Sequence, residues 1–250
     1  MKRAGRNAVF MCLVVLMGFV ALHLSTAGSA KASTPATCSL PTLQYGSQGD
    51  SVRELQIRIA GWASDTQSQV YLATDGDFGN ATKDAVIRLQ RAYGLTQDGI
   101  VGCATWSVIG ANADGSTPHF SFSEFYSQDG MGFSGGNVDS ATVQENIRHL
   151  MWKLEAFRKK EGGNPLTIVS GFRSVSHNQA IGGASNSQHT YGIASDISVG
   201  SLTLDQEAAI AKTCGLSGVI IEGTDRALHV DSRVEYPSYG SGSWYWADWR

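Results

Sequence analysis

Three residues in the C-terminal half have the types and order of a metal site. His189 and Asp196 lie in one short segment, and His229 follows farther along the chain. Two histidines and one carboxylate are a ligand set of catalytic zinc, which keeps a fourth position open for water, whereas structural zinc usually takes four Cys or His ligands. We therefore expect one zinc ion per chain, bound by His189, Asp196 and His229.

The pattern of the two predicted strands supports this grouping. Side chains alternate between the faces of a strand, and the apolar residues of segment 193–199 share one parity while Asp196 has the other. In segment 227–231 the apolar residues again share one parity, and His229 has the other. If the strands are neighbours, Asp196 and His229 project from the same face, and His189 completes the site from the preceding loop. The alternative is three unrelated polar residues, because a histidine on a sheet face is common.

These residues belong to a longer motif. The pattern Ser-x-His-x-x-Gly-x-Ala-x-Asp with a distal His resembles the signature of the zinc D-alanyl-D-alanine peptidase family, which is related in fold to the hedgehog and lysostaphin-type domains. Gly171-Phe-Arg173 and the segment 182–187 extend the match. The resemblance covers essentially the whole mature chain. It implies a secreted zinc peptidase that acts on peptidoglycan stem peptides.

The resemblance also implies residues that contact the substrate. Arg173 stands where the family has an arginine near the metal, and a guanidinium offers paired donors that suit a carboxylate or a developing oxyanion. Ser187 is expected either to bind substrate or to shape the turn before His189. The alternative for Arg173 is a solvated surface charge.

The general base is the least determined part of the predicted site. A zinc hydrolase benefits from a group that takes a proton from the metal-bound water and passes it to the leaving amine. The resembled carboxypeptidase has a His and an acidic residue just ahead of its last metal His, and this sequence has Thr224 where that His would fall. Asp225 is our candidate for the base and Glu222 is the alternative.

An internal repeat marks the N-terminal half. Asp75-Gly-Asp-Phe-Gly-Asn-Ala-Thr82 recurs as Asp98-Gly-Ile-Val-Gly-Cys-Ala-Thr105, and each copy predicts a turn that feeds a helix. Apolar stripes at helical spacing complete a small three-helix bundle. This half resembles the peptidoglycan-binding domain of many cell-wall hydrolases. The alternative is a bundle that only spaces or stabilises the enzyme.

The remaining signals predict an α+β fold with an antiparallel sheet in the C-terminal half. We expect Ser140 to cap a helix that Gly162-Gly163 can end. A second helix opens with the capping box Thr203-Leu-Asp-Gln206, and the segments 218–222 and 227–231 read as two strands joined by turn residues. The aromatic run Trp244 to Trp249 could line a substrate groove, but we expect it to pack on an edge strand.

The order of these signals gives the domain organisation. We expect a signal peptide at residues 1–32, a peptidoglycan-binding domain at 33–110, a linker at 111–118 and a catalytic domain at 119–250. The first 32 residues carry a basic start, an apolar run and small residues at the end, as secretory signals do. A membrane anchor is the alternative, although the apolar run is short for a bilayer span.

Composition limits the partners. The formal net charge of −3 comes without a basic stripe, which argues against nucleic acid. We expect an extracellular, wall-associated monomer that binds peptidoglycan and, after signal removal, no membrane. Three cysteines remain once Cys12 is removed. We expect Cys38 and Cys103, which flank the first domain, to form a disulfide and Cys214 to be a buried thiol, although the sequence leaves other pairings open.

Three functions fit these observations. The first is a D-Ala-D-Ala carboxypeptidase, the second is a zinc endopeptidase that cuts an internal stem or cross-link bond, and the third is a wall-binding protein without activity. The complete ligand set favours an enzyme.

Overall fold

A computed structural model describes residues 39–222, 227–240 and 242–250, which belong to one compact unit. The predicted signal peptide at 1–32, Cys38 and Asp225 lie outside these residues. Within them, none of the helices is both long and apolar enough to cross a membrane. The helices are α1 (Asp50–Arg58), α2 (Asn80–Ala92), α3 (Cys103–Val108), α4 (Ser140–Lys160), α5 (Val175–Ala180) and α6 (Leu204–Ala211), and the strands are β1 (Thr167–Ser170), β2 (Ala194–Ser198), β3 (Gly218–Ile221), β4 (Leu228–Asp231) and β5 (Tyr245–Asp248).

Helices α1 to α3 form the N-terminal bundle, and each copy of the repeat is held by a buried glutamine. In the first copy, Nε2 of Gln56 donates to Oδ1 of Asp75 at 2.7 Å and to Oγ1 of Thr82 at 3.1 Å. The Oε1 atom of Gln56 accepts from the backbone N–H of Gly76 at 2.8 Å. The side-chain amide of Gln56 thus has hydrogen-bond partners at both its nitrogen and its oxygen, as a buried polar group requires.

The second copy repeats this arrangement with Gln90. Its Nε2 donates to Asp98 at 2.8 Å and to Thr105 at 3.3 Å, and its Oε1 accepts from Gly99 at 3.0 Å. The helices that follow, α2 and α3, have the glycine N-caps Gly79 and Gly102 and no side-chain cap. The repeated polar residues serve the fold of the bundle, and they do not by themselves identify a wall-binding residue.

The sheet has the strand order β1-β2-β4-β3-β5. The expected antiparallel pairing of β3 with β4 is confirmed, and β1–β2 and β2–β4 are also antiparallel. Strand β5 differs, because it starts at the end of the sheet where β4 stops and passes to the far side of β3, so it runs parallel to β3. The α+β class is confirmed, with one parallel strand that the sequence did not reveal.

One face of the sheet is packed and the other carries polar residues. Ile197, Val219, Leu228 and Val230 are buried in a core with residues of α4. Residues of the opposite parity, including Asp196 and His229, lie on the other face, as expected from the alternation of side chains along a strand.

Two helix starts show how local signals set the bounds. The capping box of Thr203 and Gln206 opens α6, as predicted. Helix α4 begins one residue differently from our expectation, because Asp139 is the N-cap and its Oδ1 accepts from the backbone N–H of Thr142 at 3.0 Å. A carboxylate at this position also interacts favourably with the helix dipole.

Helix α4 belongs to the cores of both halves. Its Trp152 and Ala156 pack into the core of the N-terminal bundle, while other α4 residues pack under the sheet. Nζ of Lys160 donates to the carbonyl oxygens of Ser64 at 2.9 Å and Thr213 at 2.7 Å, which joins the bundle to the segment after α6. The two halves therefore share one structural helix.

The segment between the halves is ordered. Nδ2 of Asn112 donates to the carbonyl oxygen of Thr117 at 2.7 Å, and both Ser116 and Thr117 are buried. We expected a linker at residues 111–118, and that assignment stays a prediction. The division into domains at 33–110 and 119–250 stays a prediction.

The contact between α4 and the bundle can be tested at Gly61. A Cβ atom there would overlap Cβ of Ala156 and come within 3.0 Å of Cα of Lys153. We expect Gly61→Ala to lower the free energy of unfolding by about 1–3 kcal/mol, because neither neighbour can move freely. Thermal and denaturant unfolding measure the change. Gly200→Ala is the matched control, since its Cβ meets nothing within 4 Å; equal stability of the two variants would contradict the close contact.

Candidate active site

The three predicted ligand residues meet on the polar face of the sheet. Asp196 of β2 lies directly opposite His229 of β4 in the antiparallel register. His189 comes from a short 3₁₀ turn, Gln188–Tyr191, that leads into β2. Nε2 of His189, Oδ1 of Asp196 and Nδ1 of His229 lie 3.1 to 3.2 Å from one another.

This triangle fits a tetrahedral metal ion. Zinc binds nitrogen and oxygen ligands at about 2.0 to 2.2 Å, so its ligand atoms lie roughly 3.3 Å apart. The same three residues form a group able to hold a metal ion. All three residues line the same cleft, so they would hold such an ion there.

The motif glycine ahead of β2 allows the turn that presents His189. Gly192 adopts a left-handed conformation with φ of 74°, and a Cβ there would come within 2.9 Å of the carbonyl oxygen of Val143. Nδ1 of His189 donates to the carbonyl oxygen of Gly171 at 2.6 Å. That hydrogen bond fixes the tautomer and leaves Nε2 as the metal-binding atom.

His229 has a second carboxylate on the other side of its ring. Nε2 of His229 lies 3.2 Å from Oδ2 of Asp231, so the proton on Nε2 is held there and Nδ1 faces the site. Asp231 is fully buried, and Nε of Arg233 donates to its two oxygens at 3.0 and 2.9 Å. A Cβ on Gly218, the residue opposite Asp231 in β3, would overlap this carboxylate. Gly218 therefore provides the space for it.

These charges determine the protonation of the group. Burial disfavours the charged forms, but for Asp196 the neighbouring His189 and His229 outweigh burial and keep the pKa low. Burial likewise opposes the ionisation of Asp231, and its hydrogen bonds to His229 and Arg233 lower its pKa. For His229, burial opposes protonation, yet the hydrogen bonds to Asp196 and Asp231 raise the pKa to about 9. A metal ion must therefore displace a proton from His229 at neutral pH.

Comparison with known proteins assigns this site to a family. Residues 118–231 match the Peptidase M15 family model, and residues 48–109 match a peptidoglycan binding domain. The chain is 45% identical over 184 residues to the zinc D-Ala-D-Ala carboxypeptidase of Streptomyces albus G, an alignment that covers 73% of this chain and 71% of that protein. The chain belongs to the peptidase M15 family. Its expected resemblance and its zinc dependence are thereby confirmed.

Two further proteins match parts of this M15 peptidase. An uncharacterized protein of Kitasatospora aureofaciens is 34% identical over 121 residues, which cover 44% of this chain and 95% of that protein. Among solved structures, the N-terminal domain of SleB is 32% identical and covers 28% of this chain and 90% of that one, with a TM-score of 0.24.

Arg173 lies beside the three predicted ligand residues. One Nη atom forms an ion pair with Oδ2 of Asp196, and Nε donates to Oγ of Ser170 at 2.8 Å. The backbone N–H of Arg173 donates to the carbonyl oxygen of His189 at 3.2 Å. Arg173 is thus not a solvated surface charge, because it orients a ligand residue while its guanidinium lines the cleft.

Two of the other three predicted site residues line the cleft, and the third lies outside the described residues. Ser187 lines the cleft, and its carbonyl oxygen accepts from the backbone N–H of Thr190 at 3.0 Å, which shapes the turn before His189. Glu222 also lines the cleft. Asp225 lies outside the described residues, so its role as the base stays a prediction.

Aromatic residues line one part of the cleft, which our expectation for the C-terminal aromatic run did not include. The cleft encloses about 410 Å³, and besides the metal-binding group it is lined by Ile220, Tyr245 and Trp249. We expected the C-terminal aromatic residues to pack on an edge strand. That expectation holds for Trp246, which packs against the core, but it is wrong for Tyr245 and Trp249, which are 41% and 55% exposed.

Sequence reasoning also missed Asp231 and Arg233. The signal for Asp231 is present, because a residue two positions after His229 in a strand shares its face. Sequence reasoning missed it because an acid two positions after a predicted metal ligand in the same strand forms no distinct motif. Arg233 follows β4 in a short turn, and only the fold shows that it reaches back to Asp231.

The contact between His229 and Asp231 leads to a prediction about zinc affinity. Asp231→Asn keeps the shape of the side chain but removes its charge, so we expect zinc to bind on the order of 10- to 100-fold more weakly. Competition with a chromophoric chelator measures this. In the parent, zinc and a proton compete for His229, so affinity should fall as pH drops below about 9.

The pH dependence separates positioning from simple damage to the fold. Without the negative charge of Asp231, the pKa of His229 should fall, and the pH range of the zinc competition should move down with it. Asp205→Asn, a change at an exposed carboxylate of α6 that does not line the cleft, is the control. An Asp231→Asn variant with parental affinity and parental pH dependence would show that Asp231 does not act on His229.

Proposed function

We propose that this M15 peptidase is a D-alanyl-D-alanine carboxypeptidase that trims peptidoglycan stem peptides. The observation that carries the proposal is the triangle of His189, Asp196 and His229 at the base of an open cleft, with Arg173 beside it. The relative from Streptomyces albus G, which is named for this activity, and the match to a peptidoglycan binding domain support it.

In this proposal one zinc ion is bound by Nε2 of His189, Oδ1 of Asp196 and Nδ1 of His229. When bound, zinc supplies Lewis-acid chemistry, since it lowers the pKa of a coordinated water to about 7 and polarises a carbonyl group. The chain supplies the rest of the site. Gly171 and Asp231 hold the protons on the remote nitrogens of the two histidines, so Nε2 of His189 presents a lone pair and Nδ1 of His229 presents one once its proton is displaced.

Arg173 has two tasks in this proposal. Its contact with Asp196 holds that carboxylate in place. Its guanidinium also faces the cleft, where fixed donors can bind the terminal carboxylate of the substrate or the oxyanion that forms at the scissile carbonyl. A free C-terminal carboxylate distinguishes a carboxypeptidase substrate from an internal bond. Ser187, which also lines the cleft, is the second candidate for substrate binding.

Proton transfer to the leaving amine needs a further group. Glu222 lines the cleft immediately after β3, and Asp225 follows in the segment between β3 and β4. Both precede His229 in the sequence. We keep Asp225 as the candidate and Glu222 as the alternative, with a contribution of about a hundredfold to ten-thousandfold in rate for either.

The rest of the chain fits a wall enzyme. We propose that residues 1–32 direct export, that the mature chain acts as a monomer outside the cell, and that the N-terminal bundle retains it on peptidoglycan. The match of residues 48–109 to a peptidoglycan binding domain supports retention. The shared helix α4 means that the bundle also stabilises the catalytic half.

Removal of zinc or of one ligand tests the activity. We expect release of D-alanine from a pentapeptide stem to be lost after chelation, to return on addition of zinc, and to be absent in His229→Ala, because two ligands cannot hold the ion in the site. Chromatography of the products and metal analysis measure both effects. His177→Ala is the control, since His177 of α5 does not line the cleft.

The products also decide between the functions. Release of D-alanine from the pentapeptide without cleavage of cross-linked dimers is the expected result. Cleavage of the dimers at an internal bond would favour the endopeptidase function. If the zinc-loaded chain hydrolyses neither substrate, the result would favour a wall-binding protein without activity.

The base is tested by comparing Asp225→Asn with Glu222→Gln, each with its zinc content verified. We expect Asp225→Asn to lower kcat by a factor of about a hundred or more while Glu222→Gln stays close to the parent. The amides keep the size of the side chains and remove only their basicity. The reverse result would assign the base to Glu222, and parental rates in both variants would place the proton transfer outside this segment.

A further inference from the structure

We propose that Tyr245 and Trp249 form a subsite that binds the acyl side of the substrate, two to three residues ahead of the scissile bond. The proposal rests on the carboxypeptidase function proposed above. It assigns selectivity for a long aliphatic side chain to this aromatic wall, which is defined by Tyr245 and Trp249.

The first observation is that these two rings face the cleft and not the core. Both line the same cleft as His189, Asp196 and His229. The intervening Trp246 has the opposite parity in β5 and packs against the core under the sheet. The alternation along the chain therefore separates one structural aromatic residue from two that remain exposed beside the site.

The second observation is that the wall is held in place. Strand β5 pairs with β3, and the backbone N–H of Trp249 donates to the carbonyl oxygen of Ile221 at 2.9 Å. The two rings are in edge contact, with centroids 6.2 Å apart. The guanidinium of Arg233 lies 5.2 Å from the ring centroid of Tyr245, and the same guanidinium holds Asp231 behind His229. An ordered aromatic surface loses little entropy when it binds a ligand.

The third observation is the order of elements across the sheet. Arg173 follows β1, Asp196 lies on β2 and His229 on β4, whereas Ile220 and the wall lie on and beyond β3. Arg173 and the wall are thus on opposite sides of the metal-binding residues. A substrate whose terminal carboxylate is near Arg173 must extend its acyl side across Ile220 toward Tyr245.

The distance between β4 and the aromatic wall determines which residue of the substrate reaches the wall. Neighbouring strands lie about 4.8 Å apart, so β5 is roughly 10 Å from β4, and an extended peptide advances about 3.3 Å per residue. The aromatic wall therefore meets the second or third residue ahead of the scissile bond. Exposed aromatic faces and an apolar floor at Ile220 suit an aliphatic side chain more than a charged one.

A pair of peptides that differ in one side chain tests the wall. The substrates are acetyl-norleucyl-D-Ala-D-Ala and acetyl-glycyl-D-Ala-D-Ala, assayed with the zinc-loaded full chain. We expect the parent to prefer the norleucyl peptide by about tenfold in kcat/KM, mainly through KM, because one aromatic contact is worth about that factor. In Tyr245→Ala and Trp249→Ala that ratio should fall toward one, and Tyr245→Phe should keep it.

The matched control is Tyr71→Ala, since Tyr71 is as exposed as Tyr245 at 40% but lies outside the cleft. It should keep the parental ratio. A parent without preference, or wall variants that lose equally on both peptides, would overturn the subsite. Cleavage of neither peptide by the parent would refute the carboxypeptidase function instead.

If the parent cleaves neither peptide, a binding measurement still tests whether Tyr245 and Trp249 form the subsite. Isothermal titration of the full chain with the norleucyl peptide measures it without any cleavage. Binding weakened about tenfold in the two alanine variants supports the subsite, and unchanged binding overturns it.

Discussion

The pairing of β2 with β4 is the constraint on which the site depends. Antiparallel register places Asp196 directly opposite His229, and both side chains leave the same face because the other face is buried under α4. A shift of one residue in this register would turn either ligand into the core. The hydrophobic residues of the two strands set this register and thereby fix the positions of Asp196 and His229, although they are not themselves predicted ligands.

A second layer of contacts converts this placement into a site with defined chemistry. The carbonyl oxygen of Gly171 and the carboxylate of Asp231 hold the outer nitrogens of the two histidines, so the inner nitrogens are available to a metal ion. The buried Asp231 is tolerated because Arg233 neutralises it and Gly218 leaves it room. Burying a charge without such partners would be strongly unfavourable. The same arginine contacts Tyr245, so the ligands and the aromatic wall are supported by one network.

The two halves of the chain are coupled through α4 more closely than a linker between separate domains suggests. Trp152 and Ala156 complete the N-terminal core, and the buried Lys153 donates to the carbonyl oxygen of Gly215 and to Oγ of Ser232, both at 2.9 Å. Ser232 directly follows β4, so α4 supports the strand that carries His229. The bundle can therefore influence the stability of the site.

The sequence by itself determined the residue types, the alternation along the strands and the repeat, because these patterns follow from local geometry and from burial. They were enough to predict the α+β class, the pairing of β3 with β4, and the group of His189, Asp196 and His229. Only the tertiary structure decided the contacts between residues that are distant in the chain. It showed that β5 is parallel to β3, that Arg173 pairs with Asp196, and that Tyr245 and Trp249 face the cleft. Such contacts depend on how the elements pack, and no local pattern of side chains encodes that packing.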